Sequence, residues 1–219
     1  MNRKKLISDL VDRILDVKGT HPIKVGVSGI TASGKTTLAN EIAEEILVRK
    51  KNAIRASIDY FHNPRAIRYK QGKDSAIGYY EDAHDYEAFR EKLLLPLCPG
   101  GNLYYHTVSL DLATDKYVRT EPKRATKDMV FIIDGTFLFK KDLIKLYDFK
   151  IFVKTDFEIA RNRGALREQH NFGGYDKAES IFINRYHAAS KLYIDQHLPE
   201  RIADIVINNN DFDDPYFEC

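Results

Sequence analysis

Apolar residues along this chain follow two rhythms, a helical spacing and short unbroken runs, and the two alternate from end to end. Leu6, Leu10, Val11, Ile14 and Val17 form a stripe at helical spacing, which predicts an entry helix over 3–17 ending near Gly19. Ile23 to Val27 reads as a buried strand, and Leu38, Ile42 and Ile46 recur at i, i+4 and i+8, one face of a helix from 36 to 47. A second strand is expected over 53–58, after the polar break Lys50-Lys51-Asn52. Residues 85–95 read as a helix stopped by Pro96 and followed by the turn Pro99-Gly100-Gly101. From Leu103 to Val118 the runs are short, alternating and aromatic-rich, so a small β-excursion is expected. Met129 to Ile133 is continuously apolar and ends in Asp134-Gly135, as a strand buried on both faces does. A helix over 140–147, a strand over 150–153, helices over 156–169 and 176–197, and a last strand over 202–207 complete the pattern. Alternating strands and helices imply an α/β fold, a parallel sheet with helices on both faces.

Composition narrows this picture little. At 219 residues with a net charge of +2, the chain suits one domain, and nothing in its charge points to nucleic acid or a membrane surface. No run approaches the roughly 18 apolar residues of a membrane span. Asp9 and Asp12 interrupt the start of the chain where a signal peptide would be apolar, so a cytoplasmic protein is expected. Cys98 and Cys219 lack metal-ligand spacing and read as reduced bystanders. The histidines show no ligand spacing, so no metal is assigned to them. Self-association into a homo-oligomer is compatible with the chain.

Chemistry enters at Gly29-Ile30-Thr31-Ala32-Ser33-Gly34-Lys35-Thr36, which fits G-x-x-x-x-G-K-[ST] between a strand and a helix. In that setting Gly29 and Gly34 permit close backbone approach, and main-chain amides at the helix N-terminus surround an oligophosphate. Lys35 reaches the β- and γ-phosphates, and the Thr36 hydroxyl ligates Mg²⁺. The second strand ends at Asp59, and ligands sit beyond the carboxyl ends of such strands. Asp59 could take the proton of an attacking hydroxyl or hold a water on Mg²⁺. Asp134 ends the next apolar strand, where a carboxylate approaches the metal. Arg161, Arg163 and Arg167 share a helix, with 163 and 167 on one face. They suit the charge of a transferring phosphoryl group, or form a solvated basic face. Gly173-Gly174 nearby could hinge a lid. Tyr69, Tyr79, Tyr80, Asp82, His84, Asp85 and Tyr86 form an acceptor pocket or a loop-packing cluster.

In this order the pieces resemble the uridine kinase family of P-loop phosphotransferases, whose relatives include phosphoribulokinase and bacterial pantothenate kinase. The resemblance spans about residues 22–208. Gly29 to Thr37 matches the family's phosphate loop. Asp59-Tyr60-Phe61-His62 is similar to its Asp-Ser-Phe-Tyr, whose Asp is the base toward the 5′-hydroxyl. His84-Asp85-Tyr86-Glu87 is similar to its Tyr/Phe-Asp-His-Pro, whose Asp holds ribose hydroxyls. Asp134-Gly135 corresponds to its Glu-Gly, Thr155-Asp156 with the arginines to its lid helix, and Ile202 to Val206 to its closing strand. The departures are His62 for a tyrosine, Tyr60 for a serine, a missing proline, and an Asp134 one methylene short.

The resemblance implies a P-loop NTPase three-layer sandwich with a β-excursion and a helical lid. It implies one domain over 1–219, with an entry helix at about 1–19, an acceptor-binding insertion at about 60–120 and a lid at about 156–175. ATP and Mg²⁺ follow as cofactors, with Thr36 and Asp134 on the metal and Asp59 reaching it through water. Asp59, Lys35, Arg163 and Arg167 would be catalytic, and Asp85, His62, Tyr80 and His84 would hold the acceptor. That small-molecule acceptor is uridine or cytidine, phosphorylated at the 5′-hydroxyl; the alternatives are pantothenate, a sugar or a sugar phosphate. A regulatory NTPase is a further alternative, although Asn208-Asn209-Asn210-Asp211 lacks the lysine of a guanine-reading Asn-Lys-x-Asp.

Overall fold

Helix α1 (Arg3–Leu15) starts where the Asn2 side chain accepts from Lys5 N at 3.2 Å, and it buries the stripe Leu6, Ile7, Leu10, Val11 and Ile14. This computed structural model describes residues 2–218, so Cys219 lies outside the described residues. Strand β1 (Ile23–Gly29) is buried at every position and runs into the phosphate loop, after which helix α2 (Lys35–Val48) turns back along the sheet. Strand β2 (Ala53–Ser57) follows, then three short helices, α3 (Arg65–Arg68), α4 (Ala76–Asp82) and α5 (Tyr86–Phe89). The β-excursion is four two-residue strands: β3 (Tyr104–Tyr105) pairs β6 (Lys123–Arg124), and β4 (Leu110–Asp111) pairs β5 (Lys116–Tyr117).

The chain then returns through β7 (Val130–Gly135), α6 (Lys141–Ile144) and β8 (Phe149–Lys154). Helices α7 (Phe157–Phe172), α8 (Tyr175–Ile181), α9 (Ala188–His197) and α10 (Pro199–Ile202) lead to β9 (Ile205–Asn208) and β10 (Tyr216–Phe217). The sheet order is β10-β9-β8-β1-β7-β2, parallel except for the antiparallel edge β10. Because β1 lies between β7 and β8, a crevice opens at its carboxyl end, where such sheets hold ligands. The register sets Val27 and Ser57 opposite Asp134 and Gly29 opposite Val153, which brings these strand ends level.

Two cores cover the two faces, as expected of three layers. Along β7, Val130 and Ile132 pack toward α1 and α2 with Val25, Val27 and Ile42, whereas Phe131 and Ile133 face Leu93, Phe137 and Tyr193. The Tyr193 hydroxyl sits inside the second core, 3.1 Å from Ser28 Oγ and accepting from Phe139 N at 3.0 Å. Lys24 is buried within β1, where its ammonium meets Asp148 at 2.9 Å and the Leu97 carbonyl at 3.3 Å. A buried cation needs such partners.

Several boundaries move. The helical path that starts at Tyr86 does not stop before Pro96: a π-helical stretch, Arg90–Leu94, feeds a 3₁₀ turn, Leu95–Leu97, that takes the proline in its first positions, where no amide is needed. Helices α3 and α4 occupy a segment with no helical stripe of its own. The last strand starts at Ile205 because Leu198, at φ 46°, and Pro199 open a helical turn first. The expected helix over 176–197 is α8, a π-helical stretch Phe182–His187, and α9. No helix among the described residues is long and apolar enough to cross a membrane.

Gly26 in β1 has no room for a side chain, since a Cβ would lie 2.9 Å from both the Phe139 and Tyr147 rings. Gly26→Val is expected to lower stability by about 1–3 kcal/mol through overpacking, read as a lower urea midpoint at unchanged slope.

Candidate active site

The phosphate loop is a left-handed turn braced from below. Ala32 (φ 67°) and Gly34 (φ 92°) lie in the left-handed region, and a Cβ on Gly34 would stand 2.4 Å from Asn209 Nδ2. The Ser33 carbonyl between them accepts from Asn209 Nδ2 at 2.8 Å and from Thr155 Oγ1 at 3.1 Å. Helix α2 then begins with no side-chain cap, leaving its first amides to a ligand. Lys35 is buried, its ammonium donating to the Ile30 carbonyl at 3.3 Å. Burial lowers its pKa; Asp59 and Asp134 pull the other way, and Arg167 adds to the lowering. An uncapped fourteen-residue helix and a desolvated cation at its start fit an oligophosphate.

Thr36 Oγ1 donates to Asp134 Oδ2 at 2.5 Å, and Arg55 holds the other carboxylate oxygen at 2.7 Å. Asp134 is fully buried, and a cavity of about 270 Å³ opens in front of it, shared by Thr36, Arg55, Ser57 and Asp59. A hydroxyl and two carboxylates are hard oxygen donors, the set Mg²⁺ takes. Arg55 comes from a strand whose other residues, Ala53, Ile54, Ala56 and Ser57, are uncharged.

Asp59 lies one turn past β2, with 55% of its side chain exposed to a second cavity of about 300 Å³. Behind it stands His84, buried, with Nε2 3.5 Å from Asp59 Oδ1 and its ring stacked on His62 at 4.5 Å. His62 Nδ1 lies 2.8 Å from the Ala83 carbonyl, which only accepts, so Nδ1 carries the proton and Nε2 keeps its lone pair. For Asp59, burial alone would raise the pKa, but the neighbouring His84 ring and the Lys35 ammonium outweigh it and bring it to about 2. Asp59 is therefore ionised across the neutral range. Asp59, His62 and His84 bring one ligand atom each within 4.8 Å of one another, a pairing of histidines that the sequence spacing does not show. The oxygen set at Thr36 and Asp134 matches the harder ion better.

The structure brings some expected residues to these cavities and takes others elsewhere. Arg167 lines the Asp59 cavity and leans on Glu168 at 2.8 Å. Arg163, one turn away, instead donates to the Asn209 and Asn210 carbonyls at 2.8 and 2.7 Å, and so fixes the segment that braces the phosphate loop. Asp85 accepts from Ala88 N at 2.8 Å as the cap of α5, so its carboxylate serves the helix. Tyr80 is buried, its hydroxyl donating to Gln196 at 2.8 Å; Tyr79 lines the cavity in its place. Arg68 and Arg185 also line it, and sequence reasoning leaves both out. A signal was there, since each precedes a tyrosine in an Arg-Tyr pair, at 68–69 and 185–186.

With this geometry in place, similarity to known proteins becomes informative. No family model matches the chain. A uridine kinase of Lactobacillus helveticus is 27% identical over 196 residues, covering 85% of this chain and 86% of that protein. The solved structure of a protein described as a possible uridine kinase, from Bacillus stearothermophilus, superposes with a TM-score of 0.72 at 25% identity, over 93% of this chain and 97% of the other. Over most of its length the chain is similar to uridine kinase-like P-loop kinases. A candidate fructose transport system kinase from Silicibacter sp. TM1040 shares the fold at a TM-score of 0.68 and 20% identity, over 94% and 98% of the two chains. A kinase that uses a nucleotide is the activity these likenesses support. In this chain Lys35, Thr36 and Asp134 sit around the crevice at the end of β1, and Asp59 lies in the turn after β2.

Two histidines make the site sensitive to acid. Burial, reinforced by His84, lowers the His62 pKa to about 4, against the pull of the Ala83 carbonyl; burial does the same for His187, which also falls to about 4. The unfolded chain takes up these protons near 6.5 and the folded one only near 4, so both groups favour folding fully above 6.5 and lose that contribution as pH falls toward 4. Asp59 acts lower, its contribution fading only from 3.8 toward about 2. Urea midpoints are expected to fall between pH 7 and pH 5, and His62→Asn to flatten that slope; a midpoint independent of pH would contradict the buried neutral rings.

Proposed function

We propose that this protein is an ATP- and Mg²⁺-dependent kinase that phosphorylates a hydroxyl of a small molecule held in the cavity beside Asp59. The observation that carries this is Asp59 itself, ionised at neutral pH and exposed to a cavity that Arg167 shares, in the turn after β2, one strand beyond the β7 that flanks the phosphate-loop strand. The amides of Ile30 to Thr37 and the Lys35 ammonium hold the phosphate tail, and Thr36 with Asp134 holds Mg²⁺. When bound, the ion neutralises charge on the β- and γ-phosphate oxygens. Asp59 orients the attacking hydroxyl and accepts its proton, while Arg167 offsets negative charge as the phosphoryl group moves. Residues of about 156–175 serve as a lid hinged at Gly173 and Gly174, which lie at φ 79° and 124°.

The names of the relatives favour the 5′-hydroxyl of uridine or cytidine as the acceptor. A second reading, another small alcohol, is favoured by one observation: two arginines besides Arg167, Arg68 and Arg185, line the acceptor cavity.

A coupled assay for ADP formation, with ATP and a panel of nucleosides and other small alcohols, tests the activity. Asp59→Asn is expected to lower kcat by about 10²–10⁴ while nucleotide affinity persists, and Lys35→Met to weaken nucleotide binding itself. Full transfer by Asp59→Asn would remove Asp59 from the role of base.

A further inference from the structure

The acceptor cavity is unusually rich in guanidinium groups, and they are not equally satisfied. Arg68 is paired with Asp115 at 3.1 Å and Arg167 with Glu168 at 2.8 Å. Arg185 has no acidic partner among the described residues. Its Cζ instead lies 5.1 Å from the Tyr79 ring centre, 5.2 Å from Tyr186 and 5.5 Å from Tyr69. The Tyr69 ring also receives Arg68, at 5.2 Å, so one ring contacts both cations. The Nε atoms of Arg68 and Arg185 are both buried and both without a hydrogen-bond partner.

Two buried N–H groups without acceptors, on two like charges, are costly unless a ligand completes them. Aromatic faces hold a guanidinium in place but accept few hydrogen bonds, so they position the fork and leave its donors to the cavity. A neutral ligand would leave the partly buried Arg185 guanidinium, whose Nε is buried, without a charged acceptor. An oxyanion would accept paired, charge-assisted bonds, roughly twice as strong as neutral ones.

We infer that the acceptor carries an anionic head, a carboxylate or a phosphate, which Arg185 grips with Arg68 beside it while the hydroxyl to be phosphorylated points at Asp59. This rests on the kinase reading above and selects its second acceptor class over the neutral nucleosides. Arg167 would remain on the phosphoryl side of the cavity, near Lys35, whose pKa it lowers.

The test separates the two claims by filling the nucleotide site first. Protein saturated with Mg²⁺ and a non-hydrolysable ATP analogue is titrated with inorganic phosphate and, separately, with acetate. At least one anion is expected to bind, and which of the two binds more tightly distinguishes a phosphate head from a carboxylate. Arg185→Gln should weaken that binding by about tenfold or more, and Arg185→Lys, which keeps the charge but loses the fork, should recover part of it. In turnover with saturating MgATP, glycerate or a sugar phosphate should exceed uridine and cytidine in kcat/KM. No anion binding to the nucleotide-filled protein, or equal binding by Arg185→Gln, overturns the inference. Equal or better turnover of uridine also overturns it, and leaves the kinase reading intact. Nucleotide affinity indifferent to Lys35→Met would instead sink the kinase reading, whatever the anions do.

Discussion

The grip on one carbonyl, that of Ser33, sets the conditions for everything else at the crevice. Thr155 reaches it from the end of β8 and Asn209 from the end of β9, so two neighbouring strands hold the turn from below. That hold is possible because Gly34 leaves space for Asn209 and because Arg163 ties down the Asn209 and Asn210 carbonyls. The loop is thus fixed by the sheet rather than by its own few hydrogen bonds. A preformed turn of this kind pays its ordering cost during folding, which leaves more of the ligand's interaction energy for binding.

Charge is distributed around the crevice with a clear division. One acid, Asp134, is buried and held by Thr36 and Arg55, so it shapes the metal side. The other, Asp59, is open to the cavity and kept ionised by the neighbouring His84 ring and the Lys35 ammonium. Two carboxylates at adjacent strand ends therefore have different duties because their surroundings differ, and strand register sets the difference.

Much of this was legible in the sequence. Helical stripes and unbroken apolar runs marked the central strands and the long helices, because burial on one stripe or on both faces leaves a periodic trace. The phosphate loop and the two strand-end acids were legible for the same reason: their positions follow from strand, turn and helix alone. What escaped was fixed by contacts distant in the chain. Asp85 looked like a ligand for hydroxyls, but whether a carboxylate caps a helix or faces a cavity depends on which way the chain turns at α5. Arg163 and Arg167 share a helix face, yet only tertiary packing sets one under the β9 carbonyls and the other over the cavity. Helices α3 and α4 are too short to show a stripe, and the π-helical stretches add a residue to a turn, which blurs any 3.6-residue period.

One of those stretches, Phe182–His187, has two neighbours at once. His187 Nε2 lies 3.3 Å from the Thr31 carbonyl of the phosphate loop, while Arg185, two residues earlier, lines the other cavity. The widened helical turn thus touches the phosphate loop through His187 and lines the Asp59 cavity through Phe182, Arg185 and Tyr186. A ligand that moved this turn from either side would change the other side's affinity, and by the same factor in each direction.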